Sequence, residues 1–232
     1  AVLVFLVFAV RKTYIEELVP RLGTGEPSGS IVAQIGSTSD SKIVSLIEEY
    51  AASSDPDLRC LAVRILAHQG TRQAFGRIRE MYERDRSSAV KEAIARSLRN
   101  FYWYETKAFV EQLLREESPR IRANTLYSLA EMNTRWKWEL RETVRAMLFE
   151  NSLRVRTEAA RLLWLSGDES ERQSVRALLT NLLGSSSANK RSAGIYLVGA
   201  LRLPEWELVL MRNLTGDAPL REFGRSIETI LQ

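Results

Sequence analysis

Residues 118–122 read Ser118-Pro119-Arg120-Ile121-Arg122, and this stretch decides the fold because versions of it recur along the chain. Each version combines a turn residue, an aliphatic residue and a basic residue, although the version at 188–191 lacks the aliphatic one. We call the basic residue the marker base, and it recurs at intervals of 30 to 35 residues. The marker bases are Arg59, Lys91, Arg122, Arg156, Arg191 and Arg221. A period in the low thirties is typical of stacked helical hairpins.

The residues that follow each marker base predict a helix with one buried face. Positions four residues apart lie near one face of a helix. Four positions after each aliphatic residue the side chain is mostly small, which allows a neighbouring helix to approach closely. Eight positions after it the side chain is mostly large and apolar. The positions of the first kind are Ala62, Ile94, Thr125, Ala159, Gly194 and Gly224. Those of the second kind are Leu66, Leu98, Leu129, Leu163 and Val198, while Glu228 departs from the pattern.

A second type of helix precedes each marker base. Residues 175–183, for example, show the apolar periodicity of a helix that is buried on one side. We therefore predict an all-α fold built from stacked helical hairpins. Six hairpins are predicted, at 40–69, 71–100, 104–131, 135–166, 168–202 and 204–231.

The amino-terminal segment is apolar. Residues 1–10 carry no polar side chain, and Arg11 and Lys12 follow directly, as at the cytoplasmic boundary of a transmembrane helix. A ten-residue helix spans about 15 Å, roughly half of the hydrocarbon core. We expect residues 1–22 to be the end of a transmembrane segment of a longer protein. A buried first helix or strand and the apolar core of a signal peptide are the alternatives.

The remaining chain divides into two parts. Residues 23–39 are rich in Gly, Ser, Thr and Pro, which predicts a linker. Residues 40–232 form the predicted repeat domain. If residues 1–22 leave the membrane at Arg11 and Lys12, this domain lies on the cytoplasmic face of the membrane.

The composition leaves few routes to catalysis. The chain has one cysteine, Cys60, and one histidine, His68, so neither an intramolecular disulfide nor a cysteine-based metal cluster can form within it. His68 is expected in the last turn of a helix that ends at Gly70. The sequence shows no phosphate-binding glycine loop, metal-ligand spacing or nucleophile elbow. We therefore expect a non-catalytic module with no cofactor and no metal.

The distribution of charge suggests a binding face. Lys and Arg outnumber Asp and Glu by 33 to 29, but the bases concentrate on the second helices, which would line the concave side of the solenoid. An acidic segment of a protein partner is the predicted ligand, with nucleic acid and anionic lipid as alternatives. The candidate binding residues are Arg64, Arg96, Arg99, Arg161 and Arg202. The marker bases are expected instead to pair with an acidic or carbonyl group of the adjacent turn.

Aromatic residues cluster at two predicted hairpin junctions, 101–104 and 136–138. They could pack between repeats, or they could form a binding hot spot, since Trp and Tyr anchor many interfaces. The candidate contact residues are Tyr102, Trp103, Trp136 and Trp138.

The recurring Leu, Val or Ile, followed by Arg or Lys and then by a small residue, resembles the HEAT-repeat family in its short bacterial form. The resemblance covers residues 40–232 and implies a right-handed superhelix of helical hairpins, in the manner of a HEAT or armadillo solenoid. It says little about function. Two HEAT-like enzyme families, the alkylpurine DNA glycosylases and the bilin lyases, give an alternative function. A glycosylase-like site would need an aromatic cleft with an acid, for which Trp136, Trp138 and Glu139 are the candidates.

A second, more limited resemblance involves the amino-terminal segment. The apolar run, the stretch Arg11-Lys12-Thr13-Tyr14, the linker and the HEAT-like units are together similar to bacterial ATP/ADP-carrier-like membrane proteins with a cytoplasmic HEAT extension. This resemblance implies that any transport chemistry lies upstream of the present chain.

Overall fold

The computed structural model describes residues 41–132 and 139–206, and helices account for most of them, with no strand in these two ranges. The α-helices are α1 (Ser41–Ala52), α2 (Pro56–Gln69), α3 (Arg72–Arg84), α4 (Ser88–Ser97), α5 (Trp103–Leu113), α6 (Pro119–Glu131), α7 (Arg141–Ala146), α8 (Leu153–Ser166), α9 (Glu169–Leu183) and α10 (Ala188–Leu201). Short 3₁₀ helices extend or follow α4, α7 and α10, at Leu98–Asn100, Met147–Phe149 and Pro204–Trp206. The all-α prediction is confirmed for these residues.

Several predictions concern parts of the chain that the structure does not describe. They are the transmembrane segment 1–22, the linker 23–39, Trp136, Trp138 and most of the sixth hairpin. Among the helices that are described, none combines the length and the apolar character needed to cross a bilayer.

The chain divides into two compact units, residues 1–101 and residues 102–232. In the first unit, α2 packs against α1, α3 and α4. In the second unit, α8 packs against α6, α7, α9 and α10, and α10 also packs against α9. Within each unit, the second helix of a pair therefore contacts both its own first helix and the second helix of the neighbouring pair.

Local signals in the sequence fix the helix ends. Asp55 caps α2 by accepting a hydrogen bond from the backbone N–H of Asp57 at 2.9 Å, and Pro56 occupies the first turn, where its missing N–H costs little. The same helix ends at Gly70, whose φ of 60° is left-handed, and His68 lies in its last turn. The predicted placement of His68 and Gly70 is confirmed.

The predicted buried positions form the core of each unit. The side chains of Ala62, Ile94, Thr125 and Ala159 are fully buried. The large positions are also buried, and Leu98 and Leu129 have no exposed surface. The register read from the marker bases is therefore confirmed for the described helices.

Arg59 shows what a marker base does in the first unit. Its Nη1 donates to the carbonyl oxygens of Ser53 at 2.9 Å and Ser54 at 3.0 Å, just beyond the end of α1. Its Nε and Nη2 donate to the carboxylate of Asp85 at 2.6 and 3.1 Å, at the end of α3. One guanidinium thus ties together the ends of two consecutive first helices.

The arrangement recurs in the second unit. Arg122 Nη1 donates to the carbonyl oxygens of Glu116 at 2.6 Å and Glu117 at 2.9 Å, while Nε and Nη2 pair with Glu150, after α7. Two further marker bases, Arg156 and Arg191, donate to carbonyl oxygens that precede their own helices. The expectation that marker bases serve the adjacent turn is confirmed for these arginines.

Candidate functional site

The second helices of the second unit are joined by polar side chains. Arg154 of α8 donates from Nη2 to the Oδ1 of Asn124 on α6, at 2.9 Å. About two turns further along α8 and one turn further along α6, the Arg161 guanidinium lies over the ring of Tyr127, 5.0 Å from its centroid. Two contacts of different chemistry therefore link the same two helices.

Glu158 lies at the centre of this arrangement and is only 6% exposed. Its Oε1 accepts a hydrogen bond from the hydroxyl of Tyr196 on α10 at 2.8 Å. Its Oε2 lies 3.7 Å from Arg161 Nη1, and neither of these two buried atoms has a hydrogen-bond partner among the described residues. Arg161 also pairs with Glu131 of α6 through Nη2.

We refer to this group as the Glu158 cluster. Its members are Asn124, Tyr127, Glu131, Arg154, Glu158, Arg161 and Tyr196. The cluster connects α6, α8 and α10 and so spans three consecutive second helices of one unit.

Burial governs the acid–base properties of the cluster. Burial raises the pKa of Glu158 above its ordinary value, and the Tyr196 hydroxyl and the Arg161 and Arg154 charges only partly oppose this. Burial also raises the pKa of Tyr196, and the neighbouring Glu158 raises it further. The phenol therefore stays protonated at neutral pH and can donate to the carboxylate.

The structure places the predicted basic residues in different environments. Arg161 is mostly buried and pairs with Glu131 and Glu158, so it is not an open cation. Arg202 is exposed at the end of α10, where it adopts a left-handed φ of 52°. In the first unit, Arg96 and Arg99 are exposed and Arg64 is half-buried.

The predicted aromatic contacts also separate. Tyr102 and Tyr104 are 65% and 77% exposed and stack with ring centroids 6.0 Å apart. Trp103, between them in sequence, is buried, so this predicted contact belongs to the core of the second unit rather than to its surface. Trp136 and Trp138 lie outside the described residues.

Glu139, the acid of the glycosylase-like alternative, pairs with Lys107. The hydrogen bond from Lys107 lowers the pKa of Glu139, although burial opposes the shift, and a hydrogen bond from Trp103 lowers it further. In the ranges 41–132 and 139–206, no group of His, Cys, Asp and Glu side chains is arranged to hold a metal ion.

Most of the Glu158 cluster was missed by reasoning from the sequence, and Arg161 is the one member that was among the candidate binding residues. The repeat register contained a usable signal. Tyr127, Arg161 and Tyr196 each lie five residues after a marker base, and Asn124 and Glu158 each lie two residues after one. Positions two and five residues after the base share a helix face. Aligning the repeats at these two positions would have revealed the side chains that meet.

The comparisons with known proteins add little. No family model matches the sequence, and no curated protein matches it. One solved structure that matches is the crystal structure of an engineered protein from a structural genomics consortium. It is 19% identical, with a TM-score of 0.41 over 80% of this chain and 97% of the other. A likeness this distant does not bear on function.

Proposed function

We propose that the chain is a HEAT-like solenoid that acts as a non-catalytic protein-interaction or scaffolding module. The second helices α6, α8 and α10 would supply its binding face. The observation that carries this proposal is the Glu158 cluster, which joins these three helices through side chains before any partner is bound. The repeat register and the packing of second helix on second helix within each unit support the solenoid.

The cluster has the residue types of an interaction hot spot. Tyr and Arg are enriched at such sites because they combine a large contact area with hydrogen bonding. Tyr196 is 42% exposed, and Leu165, one turn beyond Arg161 on α8, is 52% exposed. Because Tyr196 and Arg161 already have fixed partners, less side-chain freedom would be lost on binding. The face therefore offers apolar contact area on a pre-ordered polar base.

An acidic segment remains the proposed chemistry of the partner, but its charge contacts belong at the edge of the face. Arg161 is neutralised by Glu131 and Glu158. Arg154, Lys190 and Arg202 are exposed on or next to the same helices. Charges at the rim of an interface mainly steer association and select the partner.

The link to a membrane is also proposed. Its support is the sequence of residues 1–12, an apolar run that ends in Arg11 and Lys12. Residues 1–12 should keep the chain in the membrane fraction after carbonate extraction, and a variant that lacks them should be released. Release of both proteins would contradict a membrane anchor in this segment.

Site-specific photocrosslinking tests the proposed binding face. A photoreactive amino acid in place of Leu165 should form a covalent complex with one partner protein in cells. The matched control carries the same amino acid in place of Gln173, which is exposed on the first helix α9. Equal crosslinking at both positions, or crosslinking to nucleic acid at position 165, would refute the proposal.

The partner identified in this way then permits a direct measurement. Tyr196→Ala should weaken its affinity by at least about tenfold, as expected for a hot-spot aromatic residue. Gln173→Ala should leave the affinity within about twofold of the wild type. Isothermal titration calorimetry with the purified proteins gives both values.

A further inference from the structure

A cleft in the first unit lies where α1 and α3 end. It has a volume of about 350 Å³, close to the lower limit for small-ligand pockets. Ala51, Ala52 and Met81 contribute apolar surface to it, and Ser53 and several charged side chains form the rest of the lining. The cleft is therefore large enough for one or two side chains of another protein.

Most of the charges in the cleft neutralise one another. Asp85 pairs with Arg59, and its Oδ1 also accepts a hydrogen bond from the backbone N–H of Ser87 at 2.8 Å. Burial opposes the ionisation of Asp85, but these hydrogen bonds outweigh it and hold the pKa below its ordinary value. Arg77 pairs with Glu80 at 2.8 Å and with Glu48. These acids are consequently not available to other cations.

Arg84 and Arg86 remain as a positive surplus. They flank Asp85, both are exposed and both line the cleft. Neither has an acidic partner within residues 41–132 and 139–206. Arg84 lies in the last turn of α3, where the negative end of the helix dipole stabilises a positive side chain. Arg86 lies beyond the end of the helix, so the dipole does not explain why a base is present there.

We propose that this cleft binds a glutamate or aspartate side chain from an acidic segment of a protein partner. The proposal rests on the proposed function, because it assumes that the partner is a protein. The carboxylate would lie between the guanidinium groups of Arg84 and Arg86 in charge-assisted hydrogen bonds. The methylene groups of the side chain would pack against Met81 and Ala52.

The form of the cleft favours a peptide over a nucleic acid. Binding to a nucleic acid depends on many phosphate contacts distributed along the backbone. Only two surplus cations line this cleft, together with the apolar side chains of Ala51, Ala52 and Met81. An isolated carboxylate on a short aliphatic stem matches both features.

Titration of a fluorescent glutamate-rich peptide into the full chain tests the cleft. Arg86→Glu should weaken binding by at least about tenfold, because it replaces an attractive charge with a repulsive one. The matched control is Arg72→Glu, which makes the same change on an exposed residue of the first turn of α3. That turn is about 18 Å from Arg84 along the helix, so the control should stay within about threefold of the wild type. Circular dichroism confirms that both variants are folded.

Three outcomes would overturn the proposal. They are equal losses in the two variants, no binding of the peptide by the wild type, and equal affinity for a matched glutamine-rich peptide. A fourth is tighter, Arg86-dependent binding of a single-stranded oligonucleotide, which would assign the cleft to nucleic acid. None of these results depends on crosslinking at position 165, so the cleft can fail while the proposed binding face stands, and the reverse also holds.

Discussion

Arg122 and Arg156 occupy the same register position in consecutive helix pairs, but their partners differ. Arg122 donates to two carbonyl oxygens and to the carboxylate of Glu150, whereas Arg156 donates from Nε to the carbonyl oxygen of Leu148 at 3.0 Å. Asp85 and Glu150 lie at the ends of the first helices that follow Arg59 and Arg122. The first helix that follows Arg156, α9, is followed by Gly184, and the residues around it carry no charge. The contribution of a marker base to stability therefore depends on whether the next helix pair supplies a carboxylate.

The difference predicts unequal effects of truncation. Arg122→Ala should lower the free energy of unfolding by about 2–3 kcal/mol, because it leaves a mostly buried carboxylate and two carbonyl groups without a donor. Arg156→Ala should cost about 1 kcal/mol. Urea titrations followed by circular dichroism give both values. Equal losses would show that the pairing with Glu150 adds nothing to stability.

Glu158 makes stability depend on pH in a direction opposite to that of most paired carboxylates. Its pKa in the folded state lies above its ordinary value of 4.5. Below about pH 4.5 the Glu158 carboxyl is protonated in both the folded and the unfolded protein, so burial of this group then costs no ionisation free energy. As the pH rises through the folded-state pKa, ionisation of the buried group costs free energy, and stability is lost.

Glu158→Gln should remove this dependence. The amide keeps an acceptor for Tyr196 and never ionises, so the variant should gain stability relative to the wild type as the pH rises from about 4 to about 8. Thermal melts at a series of pH values measure the difference. A variant that is less stable at the higher pH, or whose difference from the wild type is constant, contradicts the prediction.

At the scale of the element, two glycines illustrate opposite requirements. Gly70 ends α2 with a left-handed φ of 60°, and a Cβ there would lie 3.1 Å from the carbonyl oxygen of Asn100. Gly76 lies within α3, and a Cβ there would meet nothing within 4 Å. Only the first position needs a glycine.

Alanine substitutions should therefore act in opposite directions. Gly70→Ala should destabilise the protein by about 1–2 kcal/mol, because alanine disfavours the left-handed conformation. Gly76→Ala should stabilise it by about 0.5–1 kcal/mol, because alanine loses less backbone entropy in a helix. Urea unfolding of the two variants against the wild type decides the matter. A loss of stability in both would contradict the assignment of Gly76 to an open helix surface.

The elements were predictable because their signals are local. Pro56, Asp55 and Gly70 fix the ends of α2 from adjacent sequence, and the spacing of Ala62 and Leu66 fixes its buried face. The Glu158 cluster was not predictable in this way, because Tyr196 is 38 residues from Glu158. Reading each second helix alone made Arg161 look like an open base, because Glu131 becomes its partner only when α6 and α8 stack. Glu158, three residues before Arg161 on the same helix, was already a neighbour in the sequence. The burial of Trp103 likewise depends on packing that no local pattern encodes.

At the scale of the whole molecule, charge separates the proposed function from its main alternative. The chain carries a net charge of only +4, and its bases and acids are interspersed along the sequence. Four marker bases donate hydrogen bonds to backbone carbonyl oxygens in the turns of the protein itself. Arg161, at the centre of the binding face proposed on α6, α8 and α10, pairs with two carboxylates. Such a surface offers few cations that could replace counterions along a phosphate backbone.

The chain should therefore bind a short DNA duplex with a Kd no tighter than about 10⁻⁴ M at physiological salt. Fluorescence anisotropy with a labelled duplex at low and physiological salt measures this, and a known basic DNA-binding domain serves as the positive control. Micromolar affinity that falls steeply with salt would mean that several phosphates are neutralised at once. Because an acidic peptide does not need so extended a basic surface, that result would show that the binding face on α6, α8 and α10 binds a nucleic acid rather than a protein partner.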